Sequence, residues 1–180
     1  NLGNNGWSYD EVLPYFLKAE HNEIFNNEFH GQDGPLNVTK IRHENRPTKD
    51  FVETGSRIFG YNDDFNGEKQ EGIGFYQTTQ KGGKRCSAAK AYLVPCLERE
   101  NLTVMTETNV NKIIIDNNKA VGVECLNDKG ELFSIKADKE VLLCSGAFGS
   151  PQILLRSGIG PSEEITKHNI EHVHELPGVG

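Results

Sequence analysis

Two different spacings of apolar residues run along this chain. Near its start, Val12, Tyr15, Phe16 and Ala19 recur at three- and four-residue intervals, the mark of one helix face. Ser8 precedes that run with Glu11 three positions on, a pairing that closes the first turn of a helix, and Pro14 lies early enough to be tolerated. At this spacing Trp7, Tyr9, Tyr15 and Phe16 are expected to form core, with a substrate-pocket lining as the alternative. A polar, irregular stretch over 21–33 leads to Gly34-Pro35 and a short strand at 36–38. A second helix is expected over 47–60, with Phe51, Gly55, Ile58 and Phe59 on or near one face. Residues 62–74 are rich in Asn, Asp and Gly and read as loop; 75–80 read as a strand turned by Gly82-Gly83. Ser87 is placed to cap a helix that passes Tyr92 and Leu93 and ends near Pro95.

From there the pattern becomes strand-like. Residues 102–106 read as a strand, and 109–115, 120–126 and 132–137 as a β-meander turned at Asn117-Asn118 and Asp128-Lys129-Gly130. Residues 139–145 form a further strand whose centre, Val141-Leu142-Leu143-Cys144, suits burial on both faces of a parallel sheet. A sharp turn over 146–150 leads to a helix at 151–156 with Pro151 in its first turn. Residues 157–161 stop it, and Ser162, Glu163 and Glu164 open another that ends at His168-Asn169. The fold class is α/β mixed with α+β. A boundary near Gly82 separates an α+β portion (1–82) from a sheet-based portion (83–180).

Composition narrows the function classes. The net charge of -7, with no basic stripe, argues against nucleic-acid binding, which needs clustered Lys and Arg against phosphates. No apolar run reaches the roughly 20 residues that cross a bilayer. Cys86, Cys96, Cys125 and Cys144 make no CxxC pair, which argues for free, mostly buried thiols in a reducing compartment rather than a zinc ribbon. The sequons at Asn37 and Asn101 carry little weight. With no initiating Met and a turn-like end at Leu176-Pro177-Gly178-Val179-Gly180, both ends read as cut from something longer.

The chemically suggestive stretch is the junction Ser145-Gly146-Ala147-Phe148-Gly149-Ser150-Pro151. The carboxyl end of a strand passing through small residues into a helix start is where open α/β sheets hold ligands, because unpaired N–H groups face outward there. A plain tight turn explains the same glycines. The junction is neither a P-loop, nor G-x-G-x-x-G, nor a nucleophile elbow. His30 reads as a structural or surface residue, and His172 with His174 gives two metal ligands without a third. Lys84 and Arg85 suit an anionic group or a solvated face.

The fifteen residues 146–160 resemble the second signature of glucose–methanol–choline (GMC) oxidoreductases: small residues, Ser-Pro, two aliphatics, then Ser-Gly-aliphatic-Gly. Further segments resemble that family in the same order. They are Gly6-Trp7-Ser8-Tyr9-Asp10 with Leu13-Pro14-Tyr15-Phe16, His30-Gly31-Gln32-Asp33-Gly34-Pro35-Leu36, and Gly83-Lys84-Arg85-Cys86-Ser87-Ala88-Ala89 through Tyr92-Leu93. Asn101-Leu102-Thr103-Val104, Ala120-Val121-Gly122-Val123-Glu124 and residues 176–180 complete the set. The resemblance, nearest to bacterial choline or alcohol dehydrogenase-like members, implies part of a substrate-side α+β domain over 1–82 and part of an FAD-binding Rossmann-like domain with a β-meander over 83–180. It implies alcohol oxidation by hydride transfer to FAD, with a small alcohol and an electron acceptor as partners. It places the main chain of Val110 at the adenine and Ser145, Gly146 and Ala147 beside the adenosine half of FAD. The family's G-x-G-x-x-G and catalytic His segments do not occur in this sequence, so the chain alone is expected to be inactive, to hold FAD poorly and to carry no catalytic or metal-binding residue. Self-association through a bare sheet edge and a cytoplasmic location, with peripheral attachment to the inner membrane as the alternative, complete the expectation. The alternative is a free-standing interaction module that reuses an α/β sheet.

Overall fold

The computed structural model describes residues 3–180, which divide after Leu102 into two compact units. The two residues with which the 1–82 portion begins lie outside the described residues, and Gly82 falls inside the first unit.

In the first unit, helix α1 (Tyr9–Ala19) starts where its local chemistry demands. Glu11 Oε2 accepts from Ser8 N at 3.0 Å and from Ser8 Oγ at 2.7 Å. The helix feeds β1 (Glu20–Asn22), which pairs in parallel with β2 (Leu36–Lys40). Helix α2 (Arg46–Phe59) opens at Asn45, whose side chain accepts from Thr48 N at 2.9 Å, and closes at Gly60 with φ 78°. Strand β3 (Gln77–Thr78) then joins β2 antiparallel, Thr39 opposite Thr78. The strand expected over 75–80 is therefore broken: Gln80 belongs to a separate hairpin of β4 (Gln80–Lys81) and β5 (Lys84–Arg85). Gly82 and Gly83 turn it at φ 57° and 77°, the left-handed pair a two-residue hairpin loop requires. The helix expected after Ser87 is a π-helical turn over Ala89–Leu93 followed by a 3-10 turn over Val94–Cys96. Pro95 has no N–H to continue an α-helical ladder.

One expectation is overturned here. The aromatic run near the start is not core: Trp7 is 78 % exposed, Tyr15 72 % and Phe16 67 %, and Tyr9 is exposed too. In α2 only Val52 is buried, while Phe51, Ile58 and Phe59 face outward. An amphipathic helix buries its apolar stripe only against a second layer. The interior of this unit mixes a few small apolar residues, Val52, Cys86 and Ala91, with polar side chains, Asn22, His30, Asn37 and Thr39. The whole chain exposes 14029 Å². Two separate compact domains, each of half its mass, would expose only about 10,000 Å² together. Much apolar surface is left uncovered.

The second unit is built on the expected meander. Strands β6 (Asn109–Asp116), β7 (Lys119–Leu126) and β8 (Leu132–Lys136) run antiparallel in that order. Asn117 and Asn118 make the first turn at φ 48° and 61°; Asn127 closes the second by accepting from Lys129 N and Glu131 N. Ile113 and Cys125 are buried in the sheet. Helix α3 (Gly146–Arg156) packs on β6, then β9 (Ile159–Gly160), α4 (Ser162–Lys167) and β10 (His174–Glu175) follow, β10 pairing in parallel with β9. The expected stop of α4 at His168-Asn169 is made by Asn169 at φ 56°.

The strands expected over 102–106 and 139–145 do not pair. A strand needs an adjacent backbone to complete its ladder, and among the described residues none flanks either stretch; Leu142 is 76 % exposed. Helix α3 begins at Gly146 rather than at Pro151. Proline sits within it near the start, where Ser150 Oγ accepts from Ser145 N at 3.0 Å. All four thiols are free, but only Cys86 and Cys125 are buried, while Cys144 is exposed. Burial pushes the Cys125 thiol up, with the charge of Glu124 adding to it. Asn37 is 2 % exposed and its amide donates to Glu23 Oε1 and to Gln80 O, so its sequon is closed in the folded chain.

Candidate cofactor-binding site

The start of α3 brings together three of the residues singled out by the sequence. Ser145 precedes the helix without a side-chain cap, and Ser145, Gly146 and Ala147 are all exposed. The first-turn N–H groups therefore stay open at a surface end carrying the positive pole of the helix. Gly146 sits at φ 82°, and a Cβ placed on it would meet nothing within 4 Å. The left-handed backbone, rather than crowding, calls for glycine here, and it leaves the chain open to close approach. Beside this end lies a mainly apolar cleft of about 660 Å³, bordered by Ala147, Phe148, Pro151, Leu155, His168 and Ile170.

Val110, the fourth residue, lies near the start of β6 opposite Cys125. The register shifts between Val110 and Lys112, so Val110 stands at a β-bulge, an interruption that re-aims main-chain groups. Its side chain is only partly covered, at 36 % exposure. The bulge neighbour Asn111 is pinned by its amide, which donates to Glu124 Oε1 at 2.5 Å.

One residue of this site was missed as anything beyond a helix stop. Ser157 is 7 % exposed; its Oγ donates to Ile153 O at 2.6 Å and accepts from Ile113 N at 2.8 Å. It fastens the carboxyl end of α3 to the middle of β6. The two glycines that follow have close-packing reasons of their own. Gly158 has φ 81°, and a Cβ there would lie 2.2 Å from Glu171 O; at Gly160 it would lie 2.6 Å from Leu155 Cδ2. The signature's Ser-Gly-aliphatic-Gly is thus a bolt, a tight backbone crossing at Gly158, and a glycine at 160 packed under the Leu155 side chain. A buried hydroxyl at a helix end, aimed at a neighbouring strand, leaves no periodic trace in the sequence.

The remaining candidates fall elsewhere. His30, in the first unit, is buried at 4 % exposure between Glu20 Oε2 on Nδ1 and Asp64 on Nε2, each at 3.0 Å. Phe25 packs 5.3 Å away, centroid to centroid. Gly31 and Gly34 of the same loop press on the end of α1: a Cβ on Gly31 would lie 1.9 Å from Leu17 O, and one on Gly34 2.2 Å from Ala19 C. That loop is a structural clasp. Lys84 and Arg85 border a cleft of about 380 Å³ with Pro35, Lys81, Lys90 and Pro95. His172 Nε2 lies 3.3 Å from Glu175 Oε2, an exposed pair that salt screens. Hydrogen bonds from Thr39 and then Asn37 hold the Glu23 carboxyl below the usual range.

Residues 1–176 match the family model described as GMC oxidoreductase. The chain is 44 % identical over 182 residues to the oxygen-dependent choline dehydrogenase of Pseudomonas savastanoi pv. phaseolicola, covering 99 % of this chain and 32 % of that protein. It is 40 % identical to an alcohol dehydrogenase [acceptor] of Pseudomonas putida, covering 99 % of this chain and 33 % of the relative. Among solved structures, it is similar to pyridoxine 4-oxidase from Mesorbium loti, at TM-score 0.87 and 28 % identity over 97 % of this chain and 35 % of that one. An FAD-dependent oxidoreductase from Chaetomium thermophilum is similar at TM-score 0.89 and 25 % identity, covering 99 % and 33 %. The chain spans about a third of the length of the curated relatives it matches.

Proposed function

The chain belongs to the GMC oxidoreductase family, and on that footing we propose that it is an internal part of an FAD-dependent dehydrogenase acting on the CH–OH group of a small, choline-like alcohol. The observation that carries this reading is the similarity to choline dehydrogenases, 44 % identity across 99 % of the chain. In this reading residues 1–82 serve the substrate side and 83–180 the FAD side. The surface left uncovered supports a part of a larger body over a free-standing module.

The residues at the start of α3 and on β6 suit the adenosine half of FAD: an apolar cleft, open helix N–H groups, and a glycine approachable at van der Waals distance. Val110 would offer its main chain to the adenine, and Ser145, Gly146 and Ala147 would line the adenosine. The G-x-G-x-x-G that cradles a pyrophosphate does not occur in this sequence, so the 180-residue chain by itself would retain FAD poorly. Bound FAD would accept the hydride leaving the alcohol carbon, chemistry no side chain here can supply. The residues of this chain bind and orient; none is assigned a catalytic or metal-binding role. A histidine outside the chain would take the hydroxyl proton, since His30 is committed to Glu20 and Asp64. An electron acceptor, a cytoplasmic or membrane-peripheral location, and self-association through a bare edge of the β6–β7–β8 sheet belong to the same proposal.

The test uses the full-length protein under anaerobic conditions. It is expected to carry a yellow flavin whose visible absorbance bleaches on adding choline or a related small alcohol. A protein without flavin, or one that no primary or secondary alcohol bleaches, overturns the reading.

A further inference from the structure

We propose that Ser157 is a positioning residue that sets the two elements of the adenosine site, α3 and β6, in register with each other. The inference rests on the reading of Val110 and Ser145–Ala147 as adenosine contacts. Strand β6 is an edge strand of the meander, so among the described residues no neighbouring strand receives its outward N–H groups. Ser157 Oγ takes the one at Ile113, three residues from Val110, at 2.8 Å. The same oxygen donates at 2.6 Å to Ile153 O, in the last turn of α3. One hydroxyl therefore ties the carbonyl ladder of a helix to the amide of a strand, in a site only 7 % exposed.

Helix α3 transmits that tie to the other end. Its 11 residues make a rod of about 16 Å, and its start is Gly146 and Ala147. With the hydroxyl gone, the Ile113 N–H is left without its protein partner, a penalty that a shift of helix or strand relieves. Either movement shifts Gly146 and Ala147 against the bulge at Val110. Ser157 touches neither of these and acts through the two elements it joins.

The experiment measures FAD affinity of the apo form of the full-length protein, reconstituted at a temperature where every variant keeps native circular dichroism. S157A is expected to raise the Kd for FAD about tenfold, the value of one buried hydrogen bond. S157T, which restores the hydroxyl, is expected to bring the Kd back to within about threefold of the parent. If S157A does not fold, S157C serves in its place, keeping the packing while weakening both bonds. A147L, which fills the approach to the start of α3 and leaves the left-handed backbone at Gly146 untouched, separates the positioning role from the site itself. Weaker FAD binding in A147L beside an unchanged Kd in S157A overturns the positioning role alone. Unchanged binding in both variants shows the adenosine to lie elsewhere, and the proposal falls with it.

Discussion

Replacing His30 with alanine is expected to destabilise the first unit by about 3 kcal/mol, the cost of leaving two half-buried carboxylates without their shared partner. The two ring nitrogens face Glu20 and Asp64 at 3.0 Å, and the side chains of those acids are only 19 % and 15 % exposed. The Asn22 amide nitrogen also lies 3.0 Å from Nδ1. The imidazole ties three separate pieces of chain: the start of β1, the loop that runs to β2, and the loop after α2. Asn22 extends the clasp by donating to Glu20 Oε1 and Gln77 Oε1, while its own carbonyl oxygen accepts from Ile24 N and Phe25 N. Urea unfolding of the full-length protein gives the loss. Hydrogen exchange should show it first in residues 23–34 and 62–74. Adding D64N to H30A should recover part of the loss, because one of the two like charges left facing each other is then gone. Equal stability of H30A and the parent would mean that the clasp carries no net energy.

The second large effect is expected at Gly158. G158A faces two penalties together. A left-handed backbone costs an L-residue roughly 1–2 kcal/mol, and forcing a methyl into an occupied site typically costs about 1–3 kcal/mol more. The occupant is rigid: a Cβ would lie 2.2 Å from Glu171 O and 3.1 Å from Val173 N. The sum is about 3 kcal/mol or more. Gly130 provides the control, with φ 80° and nothing within 4 Å of an added Cβ. G130A should cost only the backbone penalty, about 1 kcal/mol. Measured side by side by urea unfolding, similar losses for the two variants would contradict the tight crossing of β9 and the segment before β10.

These two sites also show which parts of the fold could be read beforehand. Features set by neighbours in sequence were legible: the Ser8–Glu11 start of α1, the Gly82-Gly83 hairpin, and the meander with its Asn117-Asn118 turn. Features set by distant partners were not. The run Val141-Leu142-Leu143-Cys144 has the composition of a buried strand, yet no strand lies beside it among the described residues. Phe16 and Phe51 have helical spacing, but spacing identifies a face without saying what covers it. His30 is legible as a structural or surface residue, but which of the two is not, because Asp64, which holds it, is 34 positions away. Ser157 was read as a stop, and its bond to Ile113 spans 44 positions. At the candidate site the residue types at Ser145, Gly146 and Ala147 were legible as a turn that exposes backbone. The cofactor proposed for them rests on resemblance to a family rather than on these residues.

FAD carrying a photoreactive group on its adenine ring addresses that cofactor assignment directly. Bound to the full-length protein, irradiated and mapped by mass spectrometry, it is expected to label the peptides containing Val110 and Ser145–Ala147, with excess unmodified FAD abolishing both. Label confined to peptides outside residues 83–180, while the flavin is demonstrably bound, would contradict the assignment of this part of the chain to the adenosine side of the cofactor.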